Sequence, residues 1–155
     1  MRFTSTEDIE APIAHVFGEI TDFQRFERAA LRRGAEVRRS DDLTVPGIGM
    51  SWRAKFPLRG RMRELSLRLV EHDPPNRIAL EAEAATLEAR MSVDLIALSR
   101  GRTRLTVVLV LRPRTFAGRL IVQSLRLTRG RVAGRFRLRV AEYALEVEDR
   151  FARGA

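Results

Sequence analysis

Cysteine is absent from this 155-residue chain, and lysine, tryptophan and tyrosine each occur once, as Lys55, Trp52 and Tyr143. Without Cys there are no disulfides, thiolate metal ligands or Cys nucleophiles, and a reducing compartment, by default the cytoplasm, is expected. The two histidines, His15 and His72, stand far apart in sequence with no Cys to join them, so the three or four ligands of a zinc site are not supplied and no metal is expected. No apolar run approaches the roughly 20 residues of a membrane span, and the alternation from Arg2 to Ile9 does not read as a signal peptide. A mature soluble protein of one domain, residues 1–155, is expected, since a chain of this size buries one core.

Acidic residues are missing from Leu95 to Ala141, a stretch that carries twelve arginines between Arg100 and Arg139. Against a formal charge of +9, those twelve leave −3 for the rest of the chain, so all of the net positive charge comes from the Arg-rich C-terminal half. One electropositive side facing an anionic surface, such as lipid headgroups or polyphosphate, is the partner this suggests. The lone Lys55 shows that part of the pattern is a general choice of Arg over Lys. Nucleic acid is not expected, because aromatics are few and no recognition motif accompanies the arginines.

What is present is a regular succession of elements. Phe3, Ser5, Glu7 and Ile9 alternate with polar residues as a first strand. Pro12 then removes a strand donor yet suits the first turn of a helix, so the chain leaves a sheet at Ala11-Pro12. Ile13, Val16, Phe17 and Ile20 follow helical spacing, and Asp22 is placed to cap a second short helix with Phe23 and Phe26 inward. Period-two alternation resumes from Ala35 and persists through six further strands, punctuated by Val45-Pro46-Gly47-Ile48-Gly49 and by Asp73-Pro74-Pro75-Asn76. Short connections at Ala85-Thr86 and Arg100-Gly101-Arg102 make the neighbours antiparallel. From Thr115 to Arg150 the spacing turns helical; one straight rod of that length would reach about 54 Å and overshoot a domain roughly 40 Å across. A bend is predicted at Gly130 to Gly134, where each glycine weakens the helix by about 1 kcal/mol relative to Ala.

The order of elements, with Ile9-Glu10-Ala11-Pro12, Val16-Phe17, Thr21-Asp22-Phe23, Gly47-Ile48-Gly49 and Asp73-Pro74-Pro75 before Arg77-Ile78, resembles the START-like or SRPBCC superfamily, the polyketide cyclase/dehydrase and lipid-transport group. The resemblance covers essentially the whole chain. It implies an α+β helix-grip fold: a curved seven-stranded antiparallel sheet wrapped around a long C-terminal helix, with two short helices between strands 1 and 2. It also implies an apolar cavity between sheet and helix; binding or carriage of a small hydrophobic or amphipathic molecule there, without a cofactor, is the expected function. No catalytic motif is common to that superfamily, so no catalytic residue carries over.

Strand parity selects Trp52, Phe56, Leu67, Leu80, Met91 and Val93 as cavity lining, joined by Phe136, Val140 and Tyr143 from the helix. The same residue types would equally fill a solid core. Glu7, Arg61 and Arg63 share inward parity and are candidate polar anchors, the arginines for a ligand carboxylate or for Glu7 itself. The apolar Met62 beside them suggests a change of parity there. In the enzyme alternative, a cyclase or dehydratase for an aromatic or polyketide-like substrate, Glu7 and the arginines would act as acid, base or anion stabiliser. Ser5 or Ser51 with His15 and Asp22 form no local catalytic pattern, and His15 is expected on the helix surface. The Gly47-Ile48-Gly49 turn lacks the following helix and Lys-Ser/Thr pair of a phosphate cradle.

Overall fold

The computed structural model describes residues 1–58 and 60–154. Strand β1 (Arg2–Ile9) is followed by helices α1 (Ile13–Ile20) and α2 (Phe23–Arg32). Six strands come next: β2 (Glu36–Arg39), β3 (Ser51–Leu58), β4 (Arg61–Asp73), β5 (Arg77–Ala84), β6 (Leu87–Ser99) and β7 (Arg102–Pro113). The chain closes with α3 (Phe116–Leu127) and α4 (Arg129–Ala152). The strands form one antiparallel sheet in the order β1-β7-β6-β5-β4-β3-β2, so β2 to β7 are a meander and β1 returns to pair with the last of them.

The hinge after β1 is fixed from β7. Thr103 is fully buried and donates its hydroxyl to the Ala11 carbonyl at 2.8 Å, satisfying a backbone group that Pro12 leaves without a ladder partner. α1 then buries Val16, Phe17 and Ile20. Asp22 caps α2 as its sequence position predicts, accepting from the Arg25 amide at 3.3 Å. α2 ends where Gly34, at φ 89°, turns the chain, with Ala35 N–H donating to Ala30 O and Gly34 N–H to Leu31 O.

The core lies between the concave face of the sheet and α4, with Ile9, Leu69, Leu95, Leu105 and Val147 almost wholly enclosed. α4 lies along β1, where the rings of Phe3 and Phe136 sit 6.1 Å apart. At its far end Arg150 donates to the buried Glu19 of α1 at 2.9 Å. Glu146, the partner that i,i+4 spacing offers Arg150, is more distant at 3.9 Å.

Two expectations change here. The helical segment is not interrupted at Gly130 to Gly134; both glycines lie inside the 24-residue α4, and the interruption falls two residues before Gly130, at Thr128. Thr128 adopts φ −113°, ψ 22°, and both its N–H and its hydroxyl turn back to the Leu125 carbonyl. A β-branched residue with a competing hydroxyl thus stops the helix, while packing of α4 on the sheet outweighs the weak propensity of glycine. His15 is not a surface residue either. Its Nε2 lies 3.3 Å from Val147 O and 3.6 Å from Glu19, and its ring packs on Phe151 at 5.0 Å, because α4 crosses α1 at that point.

α3 is held at the end of β7 by Gly118, whose position leaves no room for a side chain: a Cβ there would sit 2.0 Å from the Thr86 carbonyl oxygen. Gly118→Ala gains helix propensity yet forces α3 off the β5–β6 turn, and the net expectation is a loss of about 2 kcal/mol. Urea unfolding with amide exchange on α3 checks this; unchanged stability and protection would show that the turn yields freely.

Candidate functional site

The sheet curves away from α4 at its centre, and side chains of alternate parity there meet across strands. Trp52 stands opposite Leu67, Leu80 opposite Met91, and Val93 opposite both Ile78 and Val107. From the other side come Phe136, Val140 and Tyr143, three positions of one α4 face. Between these two walls and α2 is a cavity of about 490 Å³. Eight of the nine residues chosen by parity and helical spacing line it. Phe56 does not; it lies half-buried further along β3, opposite Arg63.

The polar anchors named from parity lie elsewhere. Arg61 and Arg63 are exposed at the start of β4, and Glu7 is half-buried opposite Leu105 on β1. None lines the cavity, and among the described residues no ion pair joins Glu7 to either arginine. Pairing of β3 with β4 runs without interruption from Arg68 to Arg61, so Met62 marks no parity change; it is simply exposed on the outer face. The bulge in β4 falls instead between Leu69 and Glu71, and turns Glu71 outward to Arg77 and Arg90. Arg77 beside it holds the Glu71 carboxyl below the usual range, and Arg77 also pairs with Asp94. That network belongs to the convex side.

Three polar groups do reach the cavity. Glu27 on α2 accepts from Trp52 Nε1 at 2.8 Å, and the Trp52 ring also packs against Phe23 at 5.2 Å. This bond satisfies the indole that burial would otherwise strand. Tyr143, one α4 turn beyond Arg139, has a buried hydroxyl with no hydrogen-bond partner among the described residues. Burial, aided by the negative charge of Glu19, pushes its ionisation above the ordinary tyrosine range, so the group stays a neutral donor. Arg139 is exposed, as is Phe26 of α2, and these are the two exposed members of the lining. The mouth of the cavity therefore lies between α2 and α4, with the Phe26 and Tyr143 rings 5.8 Å apart across it.

Ten lining residues lie outside that selection, among them Phe23, Phe26 and Glu27 of α2 and Arg139 of α4. For Phe23 and Phe26 the inward face of α2 was legible, but not that this face meets a cavity. Arg139 belongs to the arginine-rich stretch that suggests an electropositive surface, and its exposed end fits that too.

The arrangement can enclose an apolar body and offer a hydroxyl donor and a guanidinium to a polar end. No family model and no curated protein matches the sequence. Solved structures do match in fold. A Zhui aromatase/cyclase from Streptomyces sp. R1128 is 16% identical over 97% of this chain and 95% of that chain, with a TM-score of 0.68. Ara h 8.0201 is 11% identical over 96% and 95%, with a TM-score of 0.61. A START superfamily protein from Mycobacterium smegmatis is 11% identical over 86% and 95%, with a TM-score of 0.57. With seven antiparallel strands curved around a long C-terminal helix, two short helices after β1 and these neighbours, the chain has the START-like, or SRPBCC, helix-grip fold.

Proposed function

We propose that the protein binds a small hydrophobic or amphipathic molecule between the sheet and α4, its apolar body among Leu67, Leu80, Met91 and Phe136. Its polar end turns toward Tyr143 and Arg139. The observation that carries this reading is the apolar cavity of about 490 Å³ with a buried hydroxyl that no group among the described residues satisfies. A volume in the range of small-molecule sites, with few polar groups on an apolar wall, suits a ligand oriented at one end. The fold shared with an aromatase/cyclase is a reason to screen aromatic molecules beside fatty acids. The cytoplasm is the proposed location, on the absence of Cys.

Trp52 is the sole tryptophan, and it lines the cavity, so its emission reports occupancy directly. Native mass spectrometry of fresh protein, followed by titration with fatty acids and polycyclic aromatics, is expected to give one adduct per chain and a saturable change in Trp52 fluorescence. No adduct and no spectral response across the panel would overturn the reading. Equal affinity for a carboxylate and its methyl ester would remove Arg139 as the anchor.

A second reading has its own support. Ion pairs occur up to Arg104–Asp8 and again from Arg150–Glu19, while between Arg112 and Arg139 no arginine has an acidic partner among the described residues. This favours docking on an anionic surface, with binding that falls as salt rises.

A further inference from the structure

We propose that α3 is the element that docks, lying in the headgroup region of an anionic bilayer with Phe116, Leu120 and Leu127 inserted. The proposal rests on the anionic-surface reading and is independent of the cavity. At about 100° per residue, these three side chains fall within an arc of roughly 40°. Gly118 and Val122, the buried residues of α3, point to the opposite side, against the sheet.

The outward face of a helix packed on a sheet is ordinarily polar. Here it is the reverse: Phe116 is 74% exposed, Leu120 52% and Leu127 88%. Folding does not account for them, since the inner face of α3 is already apolar through the buried Val122 and the half-buried Leu125, while Ile121 at its flank is itself exposed. Alongside the stripe run Arg119 and Arg126, exposed and without an acidic partner among the described residues. Arg114 at one end of the helix donates to Ala84 O, and Arg129 at the other donates to Arg2 O, which fixes both ends of α3 to the sheet.

A large apolar stripe edged by unpaired arginines on a rigidly mounted helix matches the interfacial geometry of a bilayer with anionic lipids. Among the described residues no helix is long and apolar enough to cross a membrane, so the contact is peripheral. A nucleic acid would use the arginines and leave Phe116 and Leu127 in water. An acidic protein partner would fit the charges, and the experiment separates it.

Sedimentation is measured with vesicles of phosphatidylcholine alone and with added phosphatidylglycerol, at two ionic strengths. The intact protein is expected to bind the anionic vesicles, more weakly at high salt, and to ignore the zwitterionic ones. Phe116→Ser/Leu120→Ser/Leu127→Ser should weaken that binding by about 100-fold or more, with thermal unfolding unchanged because all three side chains are exposed. Leu127→Asp alone, at the most exposed of the three positions, gives the same direction should the triple variant fold poorly. Full binding by the Leu127→Asp and triple variants would overturn the role of α3 while leaving the anionic-surface reading intact. Failure of the intact protein to bind anionic vesicles would overturn the bilayer proposal; retention on duplex DNA or a polyglutamate resin instead would keep the anionic-surface reading with another partner, and retention on neither would overturn both.

Discussion

Replacing Arg150 by Ala should lower the unfolding free energy by about 3 kcal/mol, because it strands a carboxylate inside the protein. Glu19 is 9% exposed in its side chain, and two guanidinium nitrogens of Arg150 approach the same oxygen at 2.8 and 2.9 Å. The interaction with Glu19 raises the pKa of Arg150 further above its already high value, the direction expected for a cation stabilised by its partner. His15, at 3.6 Å from the other oxygen, is a weaker substitute, since its charge depends on pH. The loss reflects the unpaired buried group more than the net worth of the pair. Glu19→Gln combined with Arg150→Ala should therefore recover a large part of it. Urea unfolding at constant m-value gives both numbers. A single-variant loss below about 1 kcal/mol would place the pair with solvent-screened surface bridges instead.

Leu80→Trp is expected to abolish most ligand binding while leaving the fold intact. Leu80 is half-buried, pairs with Met91 across β5 and β6, and faces the cavity, so a larger ring grows into that space rather than into packed core. Taking away about 100 Å² of ligand contact at roughly 25 cal/mol per Å² removes about 2.5 kcal/mol, close to a 100-fold loss of affinity. Native mass spectrometry of the variant should lose the adduct, with thermal stability equal to or above that of the parent. An unchanged adduct would move the ligand out of the cavity.

Much of this site could be seen in the chain itself, and the misses have a common cause. Alternation along a strand tells which face a residue takes, and Trp52, Leu67, Leu80, Met91 and Val93 share by parity the face that lines the cavity. Alternation says nothing about how far along the strand the cavity extends. Phe56, Arg61 and Arg63 share that face but lie toward the β3–β4 turn, outside the cavity, with both arginines exposed. Glu7 errs in the same way at the other margin: it faces inward on β1, yet away from the centre where sheet and helix separate. Long-range contacts such as Glu27 to Trp52 and Arg150 to Glu19 carry no local signature, because they depend on how helices cross the sheet. The break at Thr128 was missed for a different reason, since helix propensity was weighed without the packing that holds Gly130 and Gly134 in α4.

The sheet is open, and its two margins are guarded unequally. An unpaired strand edge is a template for adding a strand from another molecule. On one margin β2 offers only four residues, and Glu36, Arg38 and Arg39 place charges along it. On the other, β1 is a full eight residues long, but α4 reaches over it: Arg129 takes the carbonyl of Arg2, and Glu148 accepts from the amide of Glu10 at 2.7 Å. Both routes to strand-by-strand polymerisation are thereby obstructed, one by brevity and charge and the other by a helix. Loosening α4 would consequently cost the protein its resistance to aggregation as well as one wall of its cavity.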